Sequence, residues 1–140
     1  MVAFNKYHTY IEAQFEGAHN LGSDTLKVAL TNTAPTVASD SGLSDISEIS
    51  AGNGYTAGGT QAATSSSAQT SGNYKLVLAD VVFTASGGSI GPFRYAVLYN
   101  DTASGDEVIG YWDRGSSVSL ADGESLTWDA DPTNGVLQAA

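Results

Sequence analysis

Apolar and polar residues alternate with a period of two in a series of short segments along this chain, the pattern of half-buried strands. In Thr25–Thr31 (TLKVALT), Leu26, Val28 and Leu30 share one face, with Lys27 and Ala29 on the other. Tyr74–Thr84 (YKLVLADVVFT) reads as a strand bent at Asp80. Phe93–Asn100 (FRYAVLYN) places Phe93, Tyr95, Val97 and Tyr99 together and Ala96 and Leu98 opposite, beside Arg94. After a turn over Asn100–Asp106, Glu107–Asp113 (EVIGYWD) returns with Val108 and Trp112 on one face and Ile109 and Tyr111 on the other. Both faces of this hairpin are partly apolar, so one face is expected in the core and the other, wholly or partly, against another subunit. Three short strands follow, Ser117–Leu120, Ser125–Asp129 and Val136–Ala139, separated by turns at Asp122-Gly123 and Asp131–Gly135. Six to eight strands with short turns predict a mainly β, antiparallel sandwich or barrel-like domain.

The first residues break this pattern. Phe4, Tyr7, Ile11, Phe15 and Ala18 recur at three- and four-residue spacing, which predicts an amphipathic helix over residues 5–19. Asn5 is its expected N-cap, and the glycines from Gly17 to Gly22 are its stop signals. A helix this short is marginal alone, so its stripe docks on its own β domain or on a neighbouring subunit. Residues 1–22 are thus a helix and linker, and residues 23–140 a single β domain. Within that domain Asn32–Gly42 is loop, and Leu43, Ile46 and Ile49 make one helical turn or a packed loop.

One stretch has neither period. Ser50–Asn73 runs 24 residues without a charge, and Tyr55 is its single large apolar side chain. It reads either as a surface loop with a weak strand near 60–67 or as an extended arm that orders on a neighbour.

Composition agrees with β structure. Ser, Thr and Gly number 17, 13 and 16 of 140 residues, a turn-rich and hydroxyl-rich usage. A chain of this length buries roughly 68% of its unfolded surface, enough for one core. The absence of cysteine excludes disulfides, thiolate metal sites and cysteine catalysis. The formal charge is −10, concentrated in residues 101–140, where eight acids face a single base, Arg114. Such a chain repels nucleic acid. The N-terminal segment, interrupted by Asn5, Lys6, His8 and Glu12, lacks the apolar region of a secretory signal, and no run approaches the length of a membrane span. Synthesis in the cytoplasm and no membrane partner are the corresponding expectations.

Several motifs touch on chemistry and fall short of it. Gly87-Gly88-Ser89-Ile90-Gly91 matches G-x-S-x-G, but a nucleophile elbow needs a following helix, and here Pro92 and an aromatic strand follow. Gly52-Asn53-Gly54-Tyr55-Thr56-Ala57 imitates a dinucleotide fingerprint without its strand–helix context and reads as turn. His8 and His19, about 16 Å apart along a helix, cannot chelate one ion and are expected at the surface. Asp129, Asp131, Asn134 and Gly135 miss the calcium-loop spacing. Asp101, Asp106 and Glu107 read as a solvated acidic loop, with a cation site in an oligomer as the alternative. Asn100-Asp101-Thr102 is a formal sequon. Trp112, Trp128, Tyr95, Tyr99 and Tyr111 read as core or subunit interface, with a sugar platform as the alternative. No catalytic, cofactor or metal residue is assigned, and an enzyme is not expected.

Four segments carry a resemblance. They are the opening helix leading into HNLGSDTLKVALTNTAPT, DISEISAGNGYTAGG, TASGGSIGPFRYAVLYNDTASGDEVIGYWD and VSLADGESLTWDADPTNGVL, which together cover most of the chain. The chain resembles the small virion structural proteins of tailed bacteriophages, most of all capsid decoration (cement) proteins. The resemblance implies a location on the outer capsid surface, the major capsid protein as partner, and a homo-oligomer, expected to be a trimer. A tail or tail-fibre component, with a receptor- or glycan-binding face, is the alternative. The residues expected at interfaces are Phe4, Tyr7, Ile11 and Phe15 of the helix, Tyr55 of the arm, and Phe93, Tyr95, Tyr99, Tyr111 and Trp112 of the hairpin.

Overall fold

The computed structural model describes Val2–Ala139. Every strand pair in it is antiparallel. In chain order the elements are β1 (Phe4–Lys6), α1 (His8–Phe15), β2 (Leu26–Thr31), a 3-10 turn (Leu43–Asp45), β3 (Thr60–Gln61), β4 (Thr64–Thr70), β5 (Asn73–Leu78), β6 (Val81–Thr84), β7 (Ile90–Asn100), β8 (Val108–Leu120), β9 (Ser125–Trp128) and β10 (Leu137–Ala139). A five-stranded sheet has the order β1-β8-β7-β2-β3, and a three-stranded sheet β10-β5-β4 and a two-stranded sheet β6-β9 accompany it. The mainly β, sandwich-like architecture with one helix is the one the alternation predicts.

One core joins all three sheets. Leu26, Val28, Leu30, Val97, Tyr99 and Ile109 from the large sheet share a cluster with Leu76, Leu78 and Leu137 and with Val81, Phe83 and Trp128. Ring contacts stitch the layers, Trp112 with Trp128 at 6.2 Å and Tyr55 with Phe83 at 5.9 Å between centroids. Asp80 marks the break between β5 and β6, and its carboxylate takes the N–H of Ala130 (2.9 Å).

The hairpin β7–β8 is longer than its alternation suggested, because the separate Ser117–Leu120 strand is the continuation of β8. Over Phe93–Asn100 and Val108–Trp112 both faces are largely covered within the chain, whereas Arg114–Ser117 and Ser119 further along β8 are exposed. β1 and α1 supply the cover. Tyr7 N–H donates to the Ile109 carbonyl (3.1 Å), the Tyr7 ring lies 5.5 Å from Tyr111, and the Phe4 ring 4.8 Å from Trp112.

The helix itself is shorter and turned. Residues 4–6 form a strand, and the N-cap is Tyr7, without a side-chain cap, where Asn5 was expected. Tyr7 and Tyr10 face inward, while Ile11 and Phe15 face out. Of the expected stripe, Phe4 and Tyr7 pack inward and Ile11 and Phe15 do not. Register with β8 fixes Tyr7, and the next inward position one turn on is Tyr10.

The uncharged stretch is folded onto its own domain. Tyr55 is 3% exposed, and its hydroxyl donates to Glu48 Oε2 (2.6 Å) while accepting Leu30 N–H (3.0 Å). Gly58 N–H also donates to Glu48 Oε2 (2.7 Å), and Tyr99 Oη donates to the Gly58 carbonyl. Gly59, at φ +81°, passes so close to β2 that a Cβ there would overlap the Val28 carbonyl.

Candidate interaction surface

The outward side of α1 and the end of β10 make an apolar groove of about 130 Å³. Ile11 and Phe15 form one wall, and Tyr74, Leu137 and Ala139 the other. Phe15 is 88% exposed and Ile11 45% exposed. Lys6 also lines it. Val2 and Val82 are also exposed, but Ile11 and Phe15 stand together one turn apart on a single helix face, and Phe15 is the one exposed aromatic among the described residues.

Part-buried polar bonds link the other side of the helix to the segment that follows it. Tyr10 Oη donates to Gln14 Oε1 (3.0 Å), Gln14 Nε2 donates to the His19 carbonyl (3.2 Å), and the Tyr10 ring lies 5.4 Å from the His19 ring. Burial pushes the Tyr10 hydroxyl up to about 12. His19 is 5% exposed, which corrects its expected place at the surface; His8 is exposed. The two do not share a helix, because α1 ends at Phe15.

Asn100 sets the state of His19. Its Oδ1 accepts the N–H groups of Thr102 (3.0 Å) and Ala103 (3.2 Å). Nδ2 then has two hydrogens to donate, one to Asp24 Oδ2 (2.7 Å) and one to His19 Nδ1 (3.0 Å). Nδ1 is therefore an acceptor, and the imidazole carries its proton on Nε2. Desolvation lowers the pKa of His19 from 6.5, and the carboxylates of Glu107 and Asp24 oppose that shift. Asn100 is wholly buried with its amide engaged, so the sequon is not available to a modifying enzyme in the folded chain.

The expected interface residues divide sharply. Tyr7, Tyr55, Phe93, Tyr95, Tyr99 and Trp112 are all buried in their own domain and offer no surface. Phe4 and Tyr111 are half-buried against the core. Ile11 and Phe15 alone among the named residues stand out into solvent. The aromatic set does not form a sugar platform either, since Trp112, Trp128, Tyr95 and Tyr99 are core. Arg94 lies over the Tyr95 ring (5.2 Å) and grips Asp113 with two bonds (2.8 and 3.1 Å), holding the Asp113 carboxyl below its ordinary range. Tyr74, Leu137 and Ala139, the far wall of the groove, were missed because nothing local connects residue 15 to residue 137. The one signal was the surplus of apolar residues on α1.

The remaining motifs resolve as turns. Ser89 is exposed in a loop that leads directly into β7, and its carbonyl accepts Asn53 Nδ2 (3.0 Å). Gly52 and Tyr55 exchange backbone hydrogen bonds across a tight turn (2.8 and 3.1 Å). Asp131 accepts from Thr133 N, Asn134 N and Asn134 Nδ2, an internal turn that holds its carboxyl low. Asp101 is paired with Lys27 (3.2 Å), and no group of three metal-ligating side chains occurs among the described residues. No helix among the described residues is long and apolar enough to cross a membrane. No family model, curated protein or solved structure matches the chain.

Proposed function

We propose that this chain is a virion structural protein of a tailed bacteriophage, a capsid decoration protein that docks on the assembled lattice of the major capsid protein. The observation that carries it is the exposed Ile11–Phe15 wall of the groove, on a helix that buries Tyr10 and is tied to the domain through His8 N–H to the Val37 carbonyl and Thr9 Oγ1 to the Asp40 carbonyl. Burying side chains of this kind contributes about 1.5–3 kcal/mol each. A contact that exists only on the assembled lattice stabilises assembly by mass action, and repetition over the shell adds avidity. The four resembling segments support the same reading, and so does the acidic surface, which suits a place outside the shell, away from packaged nucleic acid.

The test is a reconstruction of the intact particle, with add-back of purified protein to capsids that lack it. The expected result is density on the capsid surface with the groove against it, and a large loss of binding for Phe15→Ser. Density on tails or fibres, with heads bare, would replace this reading with the tail-component one.

A further inference from the structure

β4, seven residues long, is an outer strand with one whole side open. It closes the order β10-β5-β4, whereas the outer strands of the large sheet, β1 and β3, are three and two residues long. Its register decides which backbone groups look outward. Leu76, opposite Ser67, gives its carbonyl to Val136 N–H on the β10 side (2.9 Å). Ser67 and Leu76 are therefore a pair that exchanges no hydrogen bonds, and the N–H and C=O of Ser67 point away from β5. The two-residue turn Ser71-Gly72, both at positive φ (51° and 83°), closes on Thr70 opposite Asn73 and puts Gln69 in the same outward set. Neither residue has a backbone partner on that side among the described residues.

Open edges are usually blunted by lysine, proline or a covering element. β4 (TSSSAQT) has no charge and no proline, and all its residues but Ser67 are exposed. A register shift between Thr64 and Ser66 confines the regular stretch to residues 66–70.

We propose that this edge pairs with β4 of a second copy of the chain, antiparallel about a two-fold axis at Ala68. Charge selects the occupant. At −10 overall, two copies repel wherever their acids meet, and residues 50–73 are the long stretch that presents none. The register is self-complementary. Centred on Ala68, Ser67 of each copy faces Gln69 of the other, so the outward groups match in both directions and make about four hydrogen bonds. Ser66 then faces Thr70, and two three-stranded sheets become one of six. So short a contact lies below the ~1,200 Å² of a standard interface, so the pair is weak and concentration-dependent. It stands independently of the capsid reading.

Sedimentation of the full chain over a concentration series tests it, with amide exchange read at Ser67 and Gln69. The expected result is a monomer–dimer equilibrium, with both amides slowing as the dimer forms. The double variant S66K/T70K sets like charges opposite one another in both pairings and should weaken the dimer about tenfold. S66K/T70E sets opposite charges there and should restore it. Both sites are exposed, without side-chain hydrogen bonds, and circular dichroism verifies that each variant folds. A monomer at every concentration, a trimer, or equal behaviour of the two double variants would overturn the proposal.

Discussion

The β7–β8 hairpin and the uncharged stretch 50–73 are held by opposite means. The hairpin is held by side chains, since Phe93, Val97, Tyr99, Ile109 and Trp112 are each nearly or wholly out of water. The stretch is held by its backbone and by a few borrowed groups. Glu48, just before it, and Leu30 and Tyr99, far from it, bind Tyr55 and Gly58. A segment can thus be well placed with almost no hydrophobic content of its own, provided a neighbour supplies the carboxylate and the sheet supplies an edge.

Substitutions can break this contrast, and the largest effect belongs to the hairpin. Trp112→Ala removes a ring packed on Phe4 and Trp128 and should cost about 3–5 kcal/mol in urea unfolding. Tyr55→Phe keeps the ring but leaves Leu30 N–H and the Glu48 carboxylate without their buried partner, an expected loss of about 1–3 kcal/mol. If the stretch were merely draped over the surface, that variant would unfold like the parent.

A smaller effect is tied to pH. The pKa of His19 is lower in the folded chain than its ordinary 6.5, so the unfolded chain takes up the proton first. Stability should therefore be full above about pH 6.5 and fall as the pH drops below it, by at most about 1.4 kcal/mol per pH unit from this group. The low carboxyl pKa values of Asp45, Asp113 and Asp131 add a further loss only below their ordinary 3.8. His19→Asn should flatten the first part of the profile, measured by thermal unfolding between pH 7.5 and 5. The smallest effect is expected at Phe15→Ser, within about 0.5 kcal/mol, because the ring touches little of its own domain. A large loss there would mean that the groove is structural and would remove the main support for docking.

Much of the fold was legible. Period-two alternation marks β2, β5, β7 and β8 because a strand that buries a face must repeat every second residue. Asp80 and the Asp122-Gly123 turn were legible for equally local reasons. The helix was legible as an element but not in its facing, since Tyr7, Tyr10 and Ile11 are all apolar enough to face inward and only register with β8 chooses among them. His19 looked like a surface residue because Asn100 and Asp24, which bury it, are remote in sequence or unremarkable beside it. Six of the ten expected contact residues proved to be core, for a general reason: an aromatic on a strand has the same signature whether a subunit or its own domain covers it.

By itself the sequence determined the β class, the single helix, the turns and the acidic, cysteine-free character, all properties of neighbours within a few residues. The tertiary structure alone decided which apolar side chains remain outside, that Tyr55 is an anchor, and that β4 is left with an open edge. Those outcomes depend on which distant strand lies alongside, and burial is a property of the whole packed domain.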